Sequence, residues 1–301
     1  MRYYSLNDYC KKTFGEKVYK LSLNGGMTCP NRDGSLSYTG CFYCSEGGSG
    51  DFASDSSLPI AAQLSEARRR LSSKTDCRKF IAYFQAFTNT YAPVEYLEKI
   101  FYEAISDPSV CVLSIGTRTD CFNDEIYDLL SRLNNIKPVW IELGLQSIHQ
   151  STLDAMNTHT KVSDFTVVCN ELNKRSIKVI AHLILGLPGE TKEMMLESVD
   201  FAAKSNIFGI KLQLLHVLRN TKLAELYEKD PFPLFSLEEY CDFIVDCIER
   251  LPPGMVIHRM TGDGPRKLLI APMWSTDKKR VLNTINQNFI KRNTYQGRFF
   301  I

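Results

Sequence analysis

Six apolar runs of strand length, each followed by a helix-period stretch or a long loop, predict an α/β chain: a partial (β/α)6 TIM-type barrel with a C-terminal α/β extension. Three observations carry this. Strand and helix patterns alternate through residue 218, which calls for right-handed crossovers and a parallel sheet. Polar residues gather toward the C-terminal ends of the strands, where such barrels keep their chemistry. A loop with three cysteines follows the first strand.

The first strand is expected over 17–24, where Val18, Leu21 and Leu23 partly alternate, and it delivers Gly25-Gly26 and the cysteine loop at 25–50. Residues 1–16 are mixed and polar. A helix over 59–71 places Ile60, Leu64, Ala67 and Leu71 on one face, with Arg68, Arg69 and Arg70 on a solvated one. Strands follow at 79–85, 110–115, 139–147, 178–185 and 209–218. Helices are expected at 94–105, 124–133, 162–175 and 192–205. The barrel is thus expected over 1–218 and the extension over 219–301, with a helix at 237–251 and a strand at 255–259.

Cys29, Cys41 and Cys44 fall within sixteen residues, the last two as Cys-x-x-Cys, and Gly34 and Gly40 let the chain turn between them. Thiolates suit zinc or iron–sulfur clusters. No His or further Cys follows soon after Cys44, whereas three thiolates suit a [4Fe-4S] cluster with one iron left open to a small molecule. A zinc knuckle completed by a distant residue explains the Cys-x-x-Cys equally well. The N-terminus lacks the apolar run of a signal peptide, so a reducing cytoplasm is the expected location and a disulfide is disfavoured.

At 301 residues, with 44% hydrophobic and 23% charged residues, the chain can bury a large core. No apolar run approaches the roughly 20 residues that span a bilayer. A net charge of +2 neither demands nor excludes nucleic acid. Of the ten cysteines, Cys10, Cys77, Cys111, Cys121, Cys169, Cys241 and Cys247 lack ligand spacing and read mostly as small buried hydrophobes.

The cysteine loop, Gln85 with Asn89, Arg118 with Asp120, Glu142 with Gln146, and Lys211, Gln213 with His216 all stand on or just after five of the strands. An unpaired buried polar group costs several kcal/mol, so five such strands need a shared reason. Local pairing suffices for Gln213 or His182 alone. Glu142 and Gln146 together point to a polar ligand with hydroxyls and an amino-acid end.

These residues resemble a known family. Cys29-Pro-Asn-Arg-Asp-Gly, the long loop to Cys41-Phe-Tyr-Cys44, 83–93, Ser114-Ile-Gly-Thr-Arg118, 142–149, 182–190, 211–217 and 258–264 are together similar to the radical S-adenosylmethionine (SAM) superfamily, in its YhcC/YtqA-type branch, related to the radical SAM domain of the elongator catalytic subunit. The gap from Cys29 to Cys41 is longer than the superfamily's usual Cys-x3-Cys. Asn157-Thr158-His159 departs from an expected Asn-Arg-Gly-His.

The resemblance implies that Cys29, Cys41 and Cys44 hold a [4Fe-4S] cluster whose open iron takes the amino and carboxylate groups of SAM, giving a deoxyadenosyl radical after one-electron cleavage. It implies Tyr43 near adenine, and Gln85, Thr88 and Asn89 at the methionine amino group. Arg118 would pair the carboxylate, and Glu142 and Gln146 the ribose. The backbone of Leu185, Gly186 and Leu187 would lie against the adenine. Such enzymes need a reducing donor such as flavodoxin or ferredoxin.

Members resembling YtqA are linked to an MnmL-type tRNA modification, carboxymethylaminomethyl-uridine to aminomethyl-uridine at the wobble position. tRNA is therefore the expected substrate, with Lys211, Gln213, His216, His258 and Arg259 as candidate substrate residues and 258–266 closing the barrel's open side. Lys278-Lys279-Arg280 and Lys291-Arg292, interleaved with Trp274, Phe289, Tyr295 and Phe299, read either as a grip for phosphates and bases or as a solvated helix packed by its aromatics. A protein or metabolite substrate, and a non-catalytic cluster or zinc protein that binds tRNA, remain the alternatives.

Overall fold

The computed structural model describes residues 2–48, 50–72, 76–262 and 264–300. Its centre is a parallel seven-stranded sheet: β1 (Tyr19–Leu23), β2 (Phe80–Phe84), β3 (Val110–Thr117), β4 (Val139–Gln146), β5 (Lys178–Leu185), β6 (Gly209–Leu214) and β8 (Val256–Arg259), neighbours in that order. Neighbours in chain order make a barrel cut open, not a doubly wound sheet.

The outer face is covered by α2 (Ile60–Ser72), α3 (Val94–Ser106), α4 (Asp124–Asn134), α6 (Val162–Lys174), α7 (Lys192–Lys204) and α9 (Leu237–Glu249). Caps set several of these helices. Asn123 and Thr191 accept from Ile126 N and Met194 N, and Ser236 forms a capping box with Glu239. Outward strand positions such as Phe84, Ile115, Leu143, Leu183 and Leu212 pack on those helices in one continuous core.

Inward positions alternate with these and fall into layers. The lowest is apolar: Ile81, Val112, Trp140 and Ile180 pack with Leu6, Tyr9 and Phe14 of α1 (Leu6–Phe14), which plugs the barrel bottom. Two residues further along the strands come Tyr83, Ser114, Glu142 and His182. Beyond these, Gln85, Gly116, Gly144 and Ile184 border the open end.

The structure differs from the sequence expectation at three places. α1 forms in the segment read as mixed and polar, because Ser5 and Asp8 build a capping box and Gly15 ends the helix at φ 80°. The strand expected over 209–218 breaks after Leu214, and β7 (Val217–Leu218) instead pairs antiparallel with β9 (Leu269–Ala271). The seventh barrel strand, β8, comes from the C-terminal extension.

That extension also holds α8 (Lys222–Lys229) and α10 (Lys278–Lys291), the latter packed on α9. Phe289 is buried against Tyr3, Trp274 Nε1 donates to Phe235 O, and Arg292 is tied to Asp242, Asp246 and Glu249. Of the basic and aromatic residues singled out there, Lys278, Lys279, Arg280, Lys291, Tyr295 and Phe299 stay exposed. Among the described residues no helix is long and apolar enough to cross a membrane.

Candidate active site

A cavity of about 250 Å³ opens at the C-terminal ends of the strands. Cys29, Cys41 and Cys44 line it together with Tyr43, Gln85, Thr88, Arg118, Glu142, Gln146, Lys211, Gln213, His216 and Arg259. Gly262, Gly264 and Pro265 form part of its wall; Asp263 lies outside the described residues, as does Ser49 of the cysteine loop.

The cysteine loop is braced from several sides. Gly34 and Gly40 turn at φ 94° and 76°. Arg32 Nη2 donates to the carbonyls of Cys44 and Ser45 at 3.0 and 2.6 Å. Asn31 Nδ2 donates to Asn157 O at 2.6 Å and to Cys41 Sγ at 3.4 Å, while Asn157 Nδ2 returns a bond to Gly40 O at 2.8 Å. The departing Asn157-Thr158-His159 segment thus buttresses this loop, with Asn157 and His159 both at positive φ and Thr158 lining the cavity.

All three cysteines are free. A hydrogen bond from Cys44, then Arg118 and Asn31, outweigh burial and bring the Cys41 thiol down to about 6, while the shared hydrogen bond and burial push Cys44 up. Among the described residues no three His, Cys, Asp or Glu side chains are gathered to hold a single metal ion. A cluster bound through separate irons does not require its sulfurs to meet at one point. Three thiols, one thiolate-prone and backed by Arg118, therefore fit a [4Fe-4S] cluster as donors.

At the end of β4 the register shifts between Gly144 and Gln146, and Gln146 takes the left-handed conformation at φ 64°. Its Oε1 is buried without a hydrogen-bond partner in the protein. An orphaned amide oxygen on strained backbone in a cavity wall fits a polar ligand. Arg118 is engaged by Asp120, which accepts from Nε at 2.8 Å and from Nη2 at 2.7 Å.

Glu142 occupies the floor, fully buried. It pairs with Lys20 and Lys211, accepts from Ser114 Oγ at 2.7 Å and lies 2.8 Å from His182 Nε2. Burial raises its carboxyl, but Lys20, Lys211 and His182 hold it well below the usual range. Burial and Lys211 take His182 down to about 4, leaving a neutral imidazole at pH 7. Ring-face contacts from Lys20 and Lys211 at 4.4 and 4.7 Å enclose Tyr83.

Five candidates lie away from the cavity wall. Leu185 is on the outward phase of β5, opposite to His182 and Ile184, and packs on the helices. Gly186 turns at φ 93° beside Phe235, and Leu187 packs with Met156 and Leu215. Asn89 is fully buried behind Gly116, donating from Nδ2 to its carbonyl at 2.8 Å. His258 drops into the lowest layer against Trp140 and Phe208, over Gly209, where a Cβ would come within 2.7 Å of its ring.

Sequence reading missed Lys20, Tyr83 and Ser114 in the floor, and Asn31 and Arg32 at the loop. The available signal was phase: Lys20 and Ser22 share the inward phase of β1, as Tyr83 and Gln85 do on β2.

Family comparison agrees with this geometry. The Radical SAM superfamily model matches residues 28–202, and the Radical_SAM C-terminal domain model matches 207–291. The chain belongs to the radical SAM superfamily. It is 42% identical over 299 residues to YtqA of Bacillus subtilis, covering 99% of this chain and 93% of that protein. It is 33% identical over 268 residues to YhcC of Escherichia coli K12, covering 89% and 85%, which places it in the YtqA/YhcC branch. Over 169 residues it is 26% identical to a tRNA uridine(34) acetyltransferase of Methanocaldococcus jannaschii, covering 53% of this chain and 30% of that one. Elp3 of Methanocaldococcus infernus shares the fold, with a TM-score of 0.70 at 16% identity, over 93% of this chain and 64% of that chain. A radical SAM superfamily enzyme is thus established; the superfamily implies a [4Fe-4S] cluster and SAM.

Proposed function

We propose that this radical SAM enzyme modifies the wobble uridine of tRNA, converting carboxymethylaminomethyl-uridine to aminomethyl-uridine. The observation that carries the radical chemistry is the shared wall: the three cysteines face the same cavity as the orphaned Gln146 amide. Cys29, Cys41 and Cys44 would hold the cluster, Tyr43, Gln85, Thr88, Arg118 and Gln146 the SAM. When bound, this pair would supply one-electron cleavage and hydrogen-atom abstraction, and with SAM as the net two-electron acceptor and water as the oxygen source the carboxymethyl carbons would leave the amine as glyoxylate.

The chain's own residues bind, orient and exclude water. Asn31, Arg32 and Asn157 hold the cysteine loop in place, and the α1 plug with the apolar lowest layer closes the barrel to solvent from below. tRNA is supported by the match to a protein named for uridine 34 of tRNA, and by exposed Lys279, Arg280, Tyr295 and Phe299 on the extension.

The test is anaerobic reconstitution with iron and sulfide, then dithionite, or a reducing donor such as flavodoxin, with SAM. Wild-type chain should release deoxyadenosine and Cys41→Ala should not. With bulk tRNA added, aminomethyl-uridine should accumulate at the expense of its carboxymethylated precursor. A tightly held zinc with no deoxyadenosine would overturn the enzyme reading, and deoxyadenosine without altered nucleosides would overturn the tRNA reading.

A further inference from the structure

Among the described residues, the cavity floor sets two lysine ammonium groups, one buried and one partly exposed, against one carboxylate. Lys20 and Lys211 both pair with Glu142, and the other groups bonded to Glu142, namely Ser114, His182 and the Tyr83 hydroxyl, are neutral at pH 7. Lys20 keeps 20% of its side-chain exposure, whereas Lys211 keeps 4% and lines the cavity. Tyr83 also lines the cavity, its hydroxyl 3.1 Å from Lys211 Nζ. Burial, with Lys20 and Arg259 close by, pushes the Lys211 ammonium well below the ordinary lysine value. A buried ammonium that shares its carboxylate with a second lysine is relieved when an anion enters.

We propose that Lys211 and the Tyr83 hydroxyl form a carboxylate-binding subsite at the cavity floor, and that it takes the carboxylate of the substrate. Lysine charge that exceeds the carboxylate charge among the described floor residues suits an anion, and the ammonium and phenol are two convergent donors for the two oxygens of a carboxylate. The assignment to substrate rests on the function proposed above: there the cysteine loop, which leaves β1 beyond Leu23, holds the amino-acid end of SAM at the upper rim. Lys211 sits three residues below the end of β6. In the proposed conversion the reactant carries a carboxylate that the product lacks, so this subsite would retain reactant and release product.

The test compares two anticodon stem–loops, with carboxymethylaminomethyl-uridine or aminomethyl-uridine at the wobble position, binding to the reconstituted wild-type chain and to Lys211→Met. Wild type should prefer the carboxylate-bearing hairpin by about tenfold, the scale of one charge-assisted hydrogen bond, and the variant should bind both alike. Equal affinity of wild type for the two hairpins overturns the proposal, and that arm needs no folded variant. If neither hairpin binds, the tRNA reading fails, and N-methylglycine against methylamine, followed by ligand-observed NMR, decides the subsite. Carboxylate binding that requires Lys211 upholds it; none overturns it. Titration with SAM and decarboxylated SAM separates the sources. A Lys211→Met defect confined to SAM assigns the subsite to the cofactor and overturns the substrate assignment. Deoxyadenosine release, measured separately, reports on the radical chemistry and is independent of these ratios.

Discussion

Gly144 lies directly against the Gln146 amide: a Cβ at Gly144 would stand 2.8 Å from Gln146 Nε2. No backbone atom comes nearer than Thr117 O at 3.9 Å, so the only group forced to yield is the mobile end of Gln146. Gly144→Ala should therefore fold normally and turn the Gln146 amide away from its place in the cavity. SAM affinity should fall about fivefold, the equivalent of one neutral hydrogen bond, with the melting temperature nearly unchanged. Titration calorimetry on reconstituted protein measures this, and an unchanged affinity removes Gln146 from the SAM site.

Glu142 is shared by two lysines with different access to water. Glu142→Gln leaves both without a counter-charge and should cost roughly 3–5 kcal/mol of stability, the penalty for breaking a buried ion pair. Adding Lys211→Met should recover more of that loss than adding Lys20→Met, because Lys20 is 20% exposed and can turn to water while Lys211 is 4% exposed and cannot. Urea denaturation of the three variants ranks them; equal recovery would show that the two ammonium groups are equally buried.

Much of this floor was legible in phase, and the rest needed the third dimension. Glu142 stood out as a carboxylate in an apolar strand, and its phase partners Gly144 and Gln146 marked the inward face of β4. The same logic on β5, where Ile180, His182 and Ile184 share a phase, would have turned Leu185 outward. Lys20 was hidden because β1 alternates weakly. The Asn31–Asn157 contact joins residues 126 apart in the chain, a relationship that no local pattern encodes. α1 was signalled by Ser5, Asp8 and Gly15, but its short mixed composition masked the apolar face formed by Leu6, Tyr9, Cys10 and Phe14. The exposed cations of the extension were readable, yet only packing showed Phe289 and Trp274 turned inward and Arg292 held by three carboxylates.

Acid should weaken the fold through His182. Its imidazole is held to about 4, below the ordinary 6.5, so the unfolded chain takes up a proton that the folded chain refuses. Stability is present above pH 6.5 and is lost as pH falls toward 4, by no more than about 3 kcal/mol from this group. Glu142, held below its usual range, loses its contribution at lower pH still. Urea midpoints between pH 7 and pH 4.5 should decline for wild type and decline less for His182→Gln, which keeps a donor to Glu142 without the titration. Parallel slopes would show that another group governs the acid limb.

Asn157 should control how firmly the cysteines are held. Its side chain donates to Gly40 O at 2.8 Å and its own carbonyl accepts from Asn31 at 2.6 Å, and its φ of 55° is a conformation glycine adopts freely. Asn157→Gly therefore removes the side-chain bonds to Gly40 O, to Ser37 Oγ at 3.5 Å and to His159 at 2.9 Å without adding backbone strain, and global stability should change by about 1 kcal/mol or less because all three lie in surface loops. The effect belongs to local opening of the loop. In the metal-free chain, alkylation of Cys41 by iodoacetamide should accelerate about fivefold, as expected when one hydrogen bond no longer opposes opening. After reconstitution, iron should be lost to a chelator faster by a similar factor. Both rates should move together, since the Asn157 side chain restrains the segment that carries Cys41; unchanged labelling and iron loss would mean that Arg32, bonded to the carbonyls of Cys44, Ser45 and Glu46, and Asn31, bonded to the Asn157 backbone, hold the loop without it.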